Sequence, residues 1–222
     1  MPDDSLLSFD AREQRNASPG RLLAFTDGVF AIIITILVLE LKVPDLASGQ
    51  PLKDSLVEMR PTFVAFVISF LLVGMYWVGH RSSFAQVRYI DRNTIWLNLL
   101  FLLPVAIVPF AAALLGEYQS DPNALHLYGV ALITATLLRL ALDTYIYRHP
   151  GLLWQQSSER VRRVAVTVGA APLVVYVIAM VVAMWAPWLS FLLYFSIPLL
   201  YFILVTFLKA DPRTTVAAED LS

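Results

Sequence analysis

The sequence contains no cysteine. Disulfides, thiolate metal sites and cysteine nucleophiles are therefore excluded. Charge is scarce: 15% of the 222 residues are Asp, Glu, Lys or Arg, against roughly 25% in ordinary soluble domains. The charges also nearly cancel, 16 basic against 17 acidic, which leaves no basic surplus for a polyanion and argues against nucleic acid as a partner. The three histidines stand at 80, 126 and 149, with no HExxH spacing. There is no GxxxxGK[ST] run and no GxSxG elbow. No enzyme constellation, resident metal or cofactor is expected from such a sequence. The first twenty residues are polar and lack the apolar core of a signal peptide, so they read as a short soluble tail.

What the chain has in abundance is apolar surface. Hydrophobic residues make up 58% of 222, about 129 positions. Six membrane helices of ~20 residues each would use about 120. Six apolar runs lie at roughly 20–41, 60–80, 94–116, 124–147, 162–185 and 188–209. Each can cross a hydrocarbon core of ~30 Å at ~1.5 Å per residue. The runs are continuous rather than alternating, which argues for helices and against a sheet barrel. The expected fold is an all-α membrane protein with six transmembrane helices. Residues 1–19 and 210–222 would form tails on either side of a membrane domain at 20–209.

The basic residues set an orientation. With six spans both termini share one side. That side would hold 13 of the 16: Arg12, Arg15, Arg21, Arg81, Arg88, Arg92, Arg139, Arg148, Arg160, Arg162, Arg163, Lys209 and Arg213. Only Lys42, Lys53 and Arg60 would lie opposite. The positive-inside rule then puts both termini in the cytoplasm. Trp77, Trp96, Trp154, Trp185 and Trp188 fall near span ends and suit interfacial anchoring.

The first span, RLLAFTDGVFAIIITILVLEL, carries the most information. Asp27 lies six residues beyond Arg21, about 9 Å deeper at ~1.5 Å per residue. A carboxylate at that depth must face protein or water. At ~100° per residue, Ile32, Ile36 and Leu39 share a stripe, with Thr35 about 60° away. Asp27 lies about 140° from Ile32, and about 120° from Arg21, too far for an i,i+4 pair. Its partner is expected on another helix. Trp77, His80, Trp96 and Asn98 share its depth and carry hydrogen-bonding groups. An interhelical polar network follows, serving either to join the bundle or to handle ions or protons.

The run Arg21-x-x-x-Phe25-Thr26-Asp27, followed by Val29-Phe30-Ala31-Ile32 and Thr35, resembles the signature of the transmembrane protein 175 family of potassium channels. That family carries Arg-x-x-x-Phe-Ser-Asp; here Thr26 replaces serine and keeps the hydroxyl. The runs from Ser69 to Phe84 and from Trp96 to Phe110 are similar to it as well. The resemblance implies a homotetramer of single six-helix units, permeable to potassium ions, in a bacterial plasma (inner) membrane. It implies that the first helices surround a central pore, with Ile32, Ile36 and Leu39 as an apolar constriction and Thr35 as a hydroxyl ring. It further implies that Arg21, Phe25, Thr26 and Asp27 hold the first helix against the second and third, with His80 and Asn98 as partners. An apolar ring gates by narrowing and dewetting. There is no TVGYG run, so no carbonyl-lined filter is expected. Glu40, Asp45, Asp54 and Glu58 are candidates to concentrate cations at the outer mouth, or else belong to an ordinary solvated loop.

Two rival readings remain open at this stage. One is a proton-coupled secondary transporter using Asp27 and His80 as a relay. It lacks the inverted repeats and paired broken helices of such carriers. The other is a membrane scaffold. Elsewhere, Arg139 and Asp143 stand at i,i+4 and can pair. Arg160, Arg162 and Arg163 suit contact with anionic lipid headgroups. Pro104, Pro109, Pro172 and Pro198 lie within spans and are expected to kink them.

Overall fold

Each apolar run becomes a long helix in the computed structural model, which describes residues 18–44, 49, 51–155 and 158–207. The helices are α1 (Gly20–Leu37), α2 (Leu52–Glu58), α3 (Arg60–Phe84), α4 (Arg92–Glu117), α5 (Pro122–Arg148), α6 (Glu159–Val182) and α7 (Pro187–Phe207). Most of both expected tails, with Asp45, lies outside the described residues. Among the described residues the architecture is all-helical, apart from one isolated antiparallel bridge between Val87 and Leu153. Five helices, α1 and α3–α6, are long and apolar enough to cross a membrane. The apolar stretch Pro187–Tyr201 of α7 is shorter.

Local chemistry sets the helix ends. The Ser18 hydroxyl accepts from the Gly20 amide at 3.3 Å as α1 begins. Asp91 caps α4, its carboxylate accepting from the Thr94 amide at 2.8 Å and the Thr94 hydroxyl at 2.6 Å. Asp121 caps α5 in the same way through the Asn123 amide, and Pro122 follows in the first turn, where a missing N–H costs nothing. The stretch 42–59 between the first two apolar runs is not wholly irregular. It contains α2, which starts after extended Pro51 and runs into α3 through Met59. Its two turns are too short to register as a periodic pattern against the surrounding charges.

The helices pack in a chain, with α3 against α4, α4 against α5, α5 against α6 and α6 against α7. α7 returns to touch α3, and α1 lies against α3 and α4 at the edge of the unit. Phe101, Val105, Val108 and Leu115 of α4 meet Leu125 and Leu132 of α5 and Ile68 and Leu72 of α3 in one buried core. Tyrosines tie the layers together by polar contacts. Tyr76 donates to the Leu132 carbonyl at 3.0 Å, Tyr194 to the Leu125 carbonyl at 3.1 Å, and the Ser69 and Tyr128 hydroxyls share a bond of 2.9 Å. Such bonds matter where lipid offers no alternative partner. Gly116 allows α4 to approach α3 closely, because a Cβ there would sit 2.8 Å from the Thr62 Cα.

Candidate functional site

α1 has two unlike faces. Leu22, Thr26, Phe30, Ile33 and Leu37 recur at helical spacing and are buried against α3 and α4. Phe30 is 1% exposed, tilted against Phe101 at 6.1 Å and His80 at 6.4 Å between ring centres. The opposite face carries Phe25, Gly28, Ile32, Thr35 and Ile36, and Leu39 follows in the 3-10 turn Val38–Glu40 that continues α1; all are exposed in the single chain. Ile32 is 59% and Leu39 71% exposed.

Two consecutive residues, Thr26 and Asp27, fasten α1. Thr26 is fully buried, and its hydroxyl accepts from the Asn98 side-chain amide of α4 at 2.9 Å. The Asn98 carbonyl oxygen lies 2.8 Å from His80 Nε2. With that oxygen as acceptor, Nε2 is the protonated nitrogen of the ring. His80 stacks on Phe84 at 4.3 Å and lies nearly parallel to Phe101. About 100° around the helix, Asp27 accepts from Trp77 Nε1 at 2.8 Å. The Arg81 guanidinium lies 5.7 Å from the Trp77 ring centre.

The residues singled out in the sequence thus fall into separate groups. Thr26, Asn98 and His80 form one buried relay of hydrogen bonds, and Asp27 and Trp77 form a second, more exposed pair. Asp27 itself is exposed in the single chain rather than buried. Arg21, Phe25 and Trp96 are also exposed and outside both groups. Trp96 lies on the flank of α4 away from Asn98, since residues two apart on a helix project ~200° apart. The aromatic walls around His80, Phe84 and Phe101, were not singled out in the sequence. Their signal is helical spacing: Phe84 follows His80 by four, and Phe101 follows Asn98 by three.

A second polar cluster lies behind the first. Arg139 Nε donates to both carboxylate oxygens of Asp143, at 3.1 and 3.0 Å. Its Nη1 donates to the Tyr76 carbonyl at 3.1 Å and its Nη2 to the Ser83 hydroxyl at 2.9 Å. Gly79 makes room for it, since a Cβ there would stand 3.1 Å from Nη1. What reads as a local i,i+4 pair in the sequence is therefore a clamp between α5 and α3. His126 Nε2 lies 2.8 Å from the Met180 carbonyl and ties α5 to α6, whereas His149 bonds the Tyr145 carbonyl one turn back at the end of α5.

A family profile described as "Endosomal/lysosomal potassium channel TMEM175" matches residues 21–109, which contain the fastened helix, α3 and most of α4. The crystal structure of a lysosomal potassium-selective channel TMEM175 homolog from Chamaesiphon minutus superposes with a TM-score of 0.72 at 30% identity, covering 85% of this chain and 97% of that one. The chain belongs to the TMEM175 family. A potassium channel of Streptomyces collinus is 42% identical over 133 residues, 58% of this chain and 65% of the relative. The chicken endosomal/lysosomal proton channel TMEM175 is 28% identical over 137 residues, 61% of this chain and 27% of the relative. The match thus spans just under two thirds of the Streptomyces protein and about a quarter of the chicken one. The family and these relatives are ion channels, not enzymes. Bacterial relatives and several membrane-capable helices make this TMEM175 chain a multi-pass protein of the bacterial inner membrane.

Proposed function

We propose that the chain forms a potassium-permeable cation channel, as a homotetramer with α1 of each copy facing a central axis. The observation that carries this reading is the division of α1. One face is fixed to α3 and α4 by Thr26, Asp27 and buried apolar contacts, and the other exposes Ile32 and Ile36, with Leu39 exposed in the 3-10 turn that follows. A helix so firmly held, with so apolar a free face, suits a shared interior surface. The names of the relatives, potassium channels and TMEM175 channels, point the same way.

In this assembly the Ile32, Ile36 and Leu39 rings form the constriction. They cannot replace an ion's hydration shell, so conduction requires widening and wetting of the ring. Thr35 adds a chemical preference for cations. Its hydroxyl lies 2.9 Å from both the Ala31 and the Ile32 carbonyls, so its proton is turned into the helix. The oxygen lone pairs are what it offers outward. In this reading α7 is the sixth span, and the excess of basic residues at the end holding Arg21, Arg81, Arg92 and Arg148 favours both termini in the cytoplasm. A proton-coupled carrier based on Asp27 and His80 has less support, because each is bonded to a different partner, Trp77 and Asn98.

Flux from liposomes tests the reading. The purified protein passes potassium down its gradient with no second coupled ion, and Ile32→Asn raises conductance or relaxes selectivity. Current that appears only with a proton gradient overturns the channel. Currents indifferent to polar replacements at Ile32, Ile36 and Leu39 remove α1 from the pore.

A further inference from the structure

A hollow of about 420 Å³ lies among α3, α5, α6 and α7, on the far side of α3 from α1. It falls within the size range of small-molecule sites. Its two walls differ. One carries Ser82, Arg139 and Asp143, with the Thr136 hydroxyl nearby, and the other carries Val164, Val168 and Pro172. A polar wall inside an apolar helix bundle is costly unless something uses it.

The Arg139–Asp143 pair decides what could enter. The two side chains are only 12% and 14% exposed, and they neutralise each other. A ligand bringing a net charge would leave one charge uncompensated in a low-dielectric site, at a large penalty. Hydrogen-bonding capacity nevertheless remains. Among the described residues Arg139 engages Asp143, Tyr76 and Ser83. That occupies three of the five N–H groups of a guanidinium. Ser82 donates to the Val78 carbonyl at 2.9 Å and keeps its lone pairs to accept. The wall therefore offers donors and acceptors but no net charge. Opposite it, Val164 and Val168 are exposed along α6 and continue the apolar surface outward.

We propose that this hollow is a binding site for an uncharged amphiphile with a hydroxyl, ester or amide head group and an aliphatic tail. The head group hydrogen-bonds to Arg139 and Ser82, and the tail follows the flank of α6 past Val164 and Val168. The site has a mechanical consequence, which rests on the channel reading. The α3 segment from Tyr76 to Ser83 holds Arg139 on one face and α1 on the other, directly through Trp77 and, by way of Asn98 of α4, through His80. Occupancy of the hollow is thus felt two contacts away at the proposed pore helix.

Binding is measured without ion flux, so failure of the channel reading and failure of the site are distinguishable. Native mass spectrometry of the purified protein uses 1-monooleoylglycerol, oleate and oleylamine as probes. Monooleoylglycerol is expected to saturate at one per chain, about tenfold or more tighter than either charged probe. Ala165→Trp and Val168→Trp, which fill the hollow from α6, each weaken it by about tenfold or more. Thermal midpoints verify that each variant is folded. A diazirine-bearing monoacylglycerol on the unaltered protein gives a readout independent of folding. Crosslinks within 75–86, 136–147 or 164–172 or at Tyr201 support the site, and crosslinks confined elsewhere overturn it. Equal or tighter binding of oleate, or undiminished binding in a folded tryptophan variant, also overturns it.

Discussion

The Asn98 side chain donates to the Thr26 hydroxyl at 2.9 Å, in a place where neither residue is exposed. The same amide turns its oxygen to His80, so one side chain of α4 joins α1 to α3. Removing it strands two buried polar groups rather than one. Each stranded group costs about 1–3 kcal/mol. Asn98→Leu is expected to lower the thermal midpoint in detergent well below that of Thr26→Val, which strands fewer groups. Thr26→Ser keeps the hydroxyl and loses one methyl, about 0.8 kcal/mol. A midpoint for Thr26→Ser as low as for Asn98→Leu would remove the bond from the account.

The Trp77–Asp27 bond makes a separate prediction. Trp77→Phe keeps an aromatic ring, though a smaller one, and removes the donor, and Asp27→Ala removes the acceptor. Each is expected to destabilise the assembled protein by about 1.5–3 kcal/mol, the range for bonds to charged groups. The double variant is expected to cost markedly less than the two single costs added, since the shared bond is lost only once. Additive costs in thermal unfolding would show that the two residues act apart.

Gly116 fixes the spacing of α3 and α4. A methyl group there would press on the Thr62 backbone, which cannot rotate away. Gly116→Ala is expected to cost about 1–3 kcal/mol of stability, in the range of overpacked cores. Gly74→Ala, where nothing lies within 4 Å of the added Cβ, is the control. Equal midpoints for the two variants would contradict the close approach.

Asp91 gives a pH dependence outside the spans. Burial tends to raise its carboxyl, but bonds from Thr94 and from the Tyr145 hydroxyl, at 2.5 Å, outweigh burial and hold it below the usual carboxylate range. A carboxyl depressed by folding contributes stability above its unfolded pKa, and that contribution fades as pH falls through the folded value. The thermal midpoint is expected to fall on acidification below the ordinary carboxylate range, and by less in Asp91→Asn. Identical acid profiles for the two proteins would dismiss the cap as the cause.

How far the sequence reached can be seen at particular residues. Continuous apolar runs give α1 and α3–α7, because a helix satisfies its own backbone and 20 or so apolar residues in a row leave little alternative. The period of 3.6 likewise puts Ile32, Ile36 and Leu39 on one stripe, and the scarcity of charge makes Asp27 conspicuous. The two-turn α2 is not legible in the sequence, since its seven residues carry too little periodicity to stand out.

Partnership was another matter. Depth along a span is readable from residue number, so Trp77, His80, Trp96 and Asn98 could be grouped at the level of Asp27. Rotation of one helix against its neighbour is set by the packing of side chains from both, and no single span contains it. Only the tertiary structure separates Thr26–Asn98–His80 from Asp27–Trp77, leaves Trp96 outside both, and turns Arg139 from a local pair into a clamp on Tyr76 and Ser83. The sequence by itself determined the six long apolar helices and the order of the polar groups along each. The packing of α1 on α3 and α4 decided which of those groups meet and which face of α1 stays free.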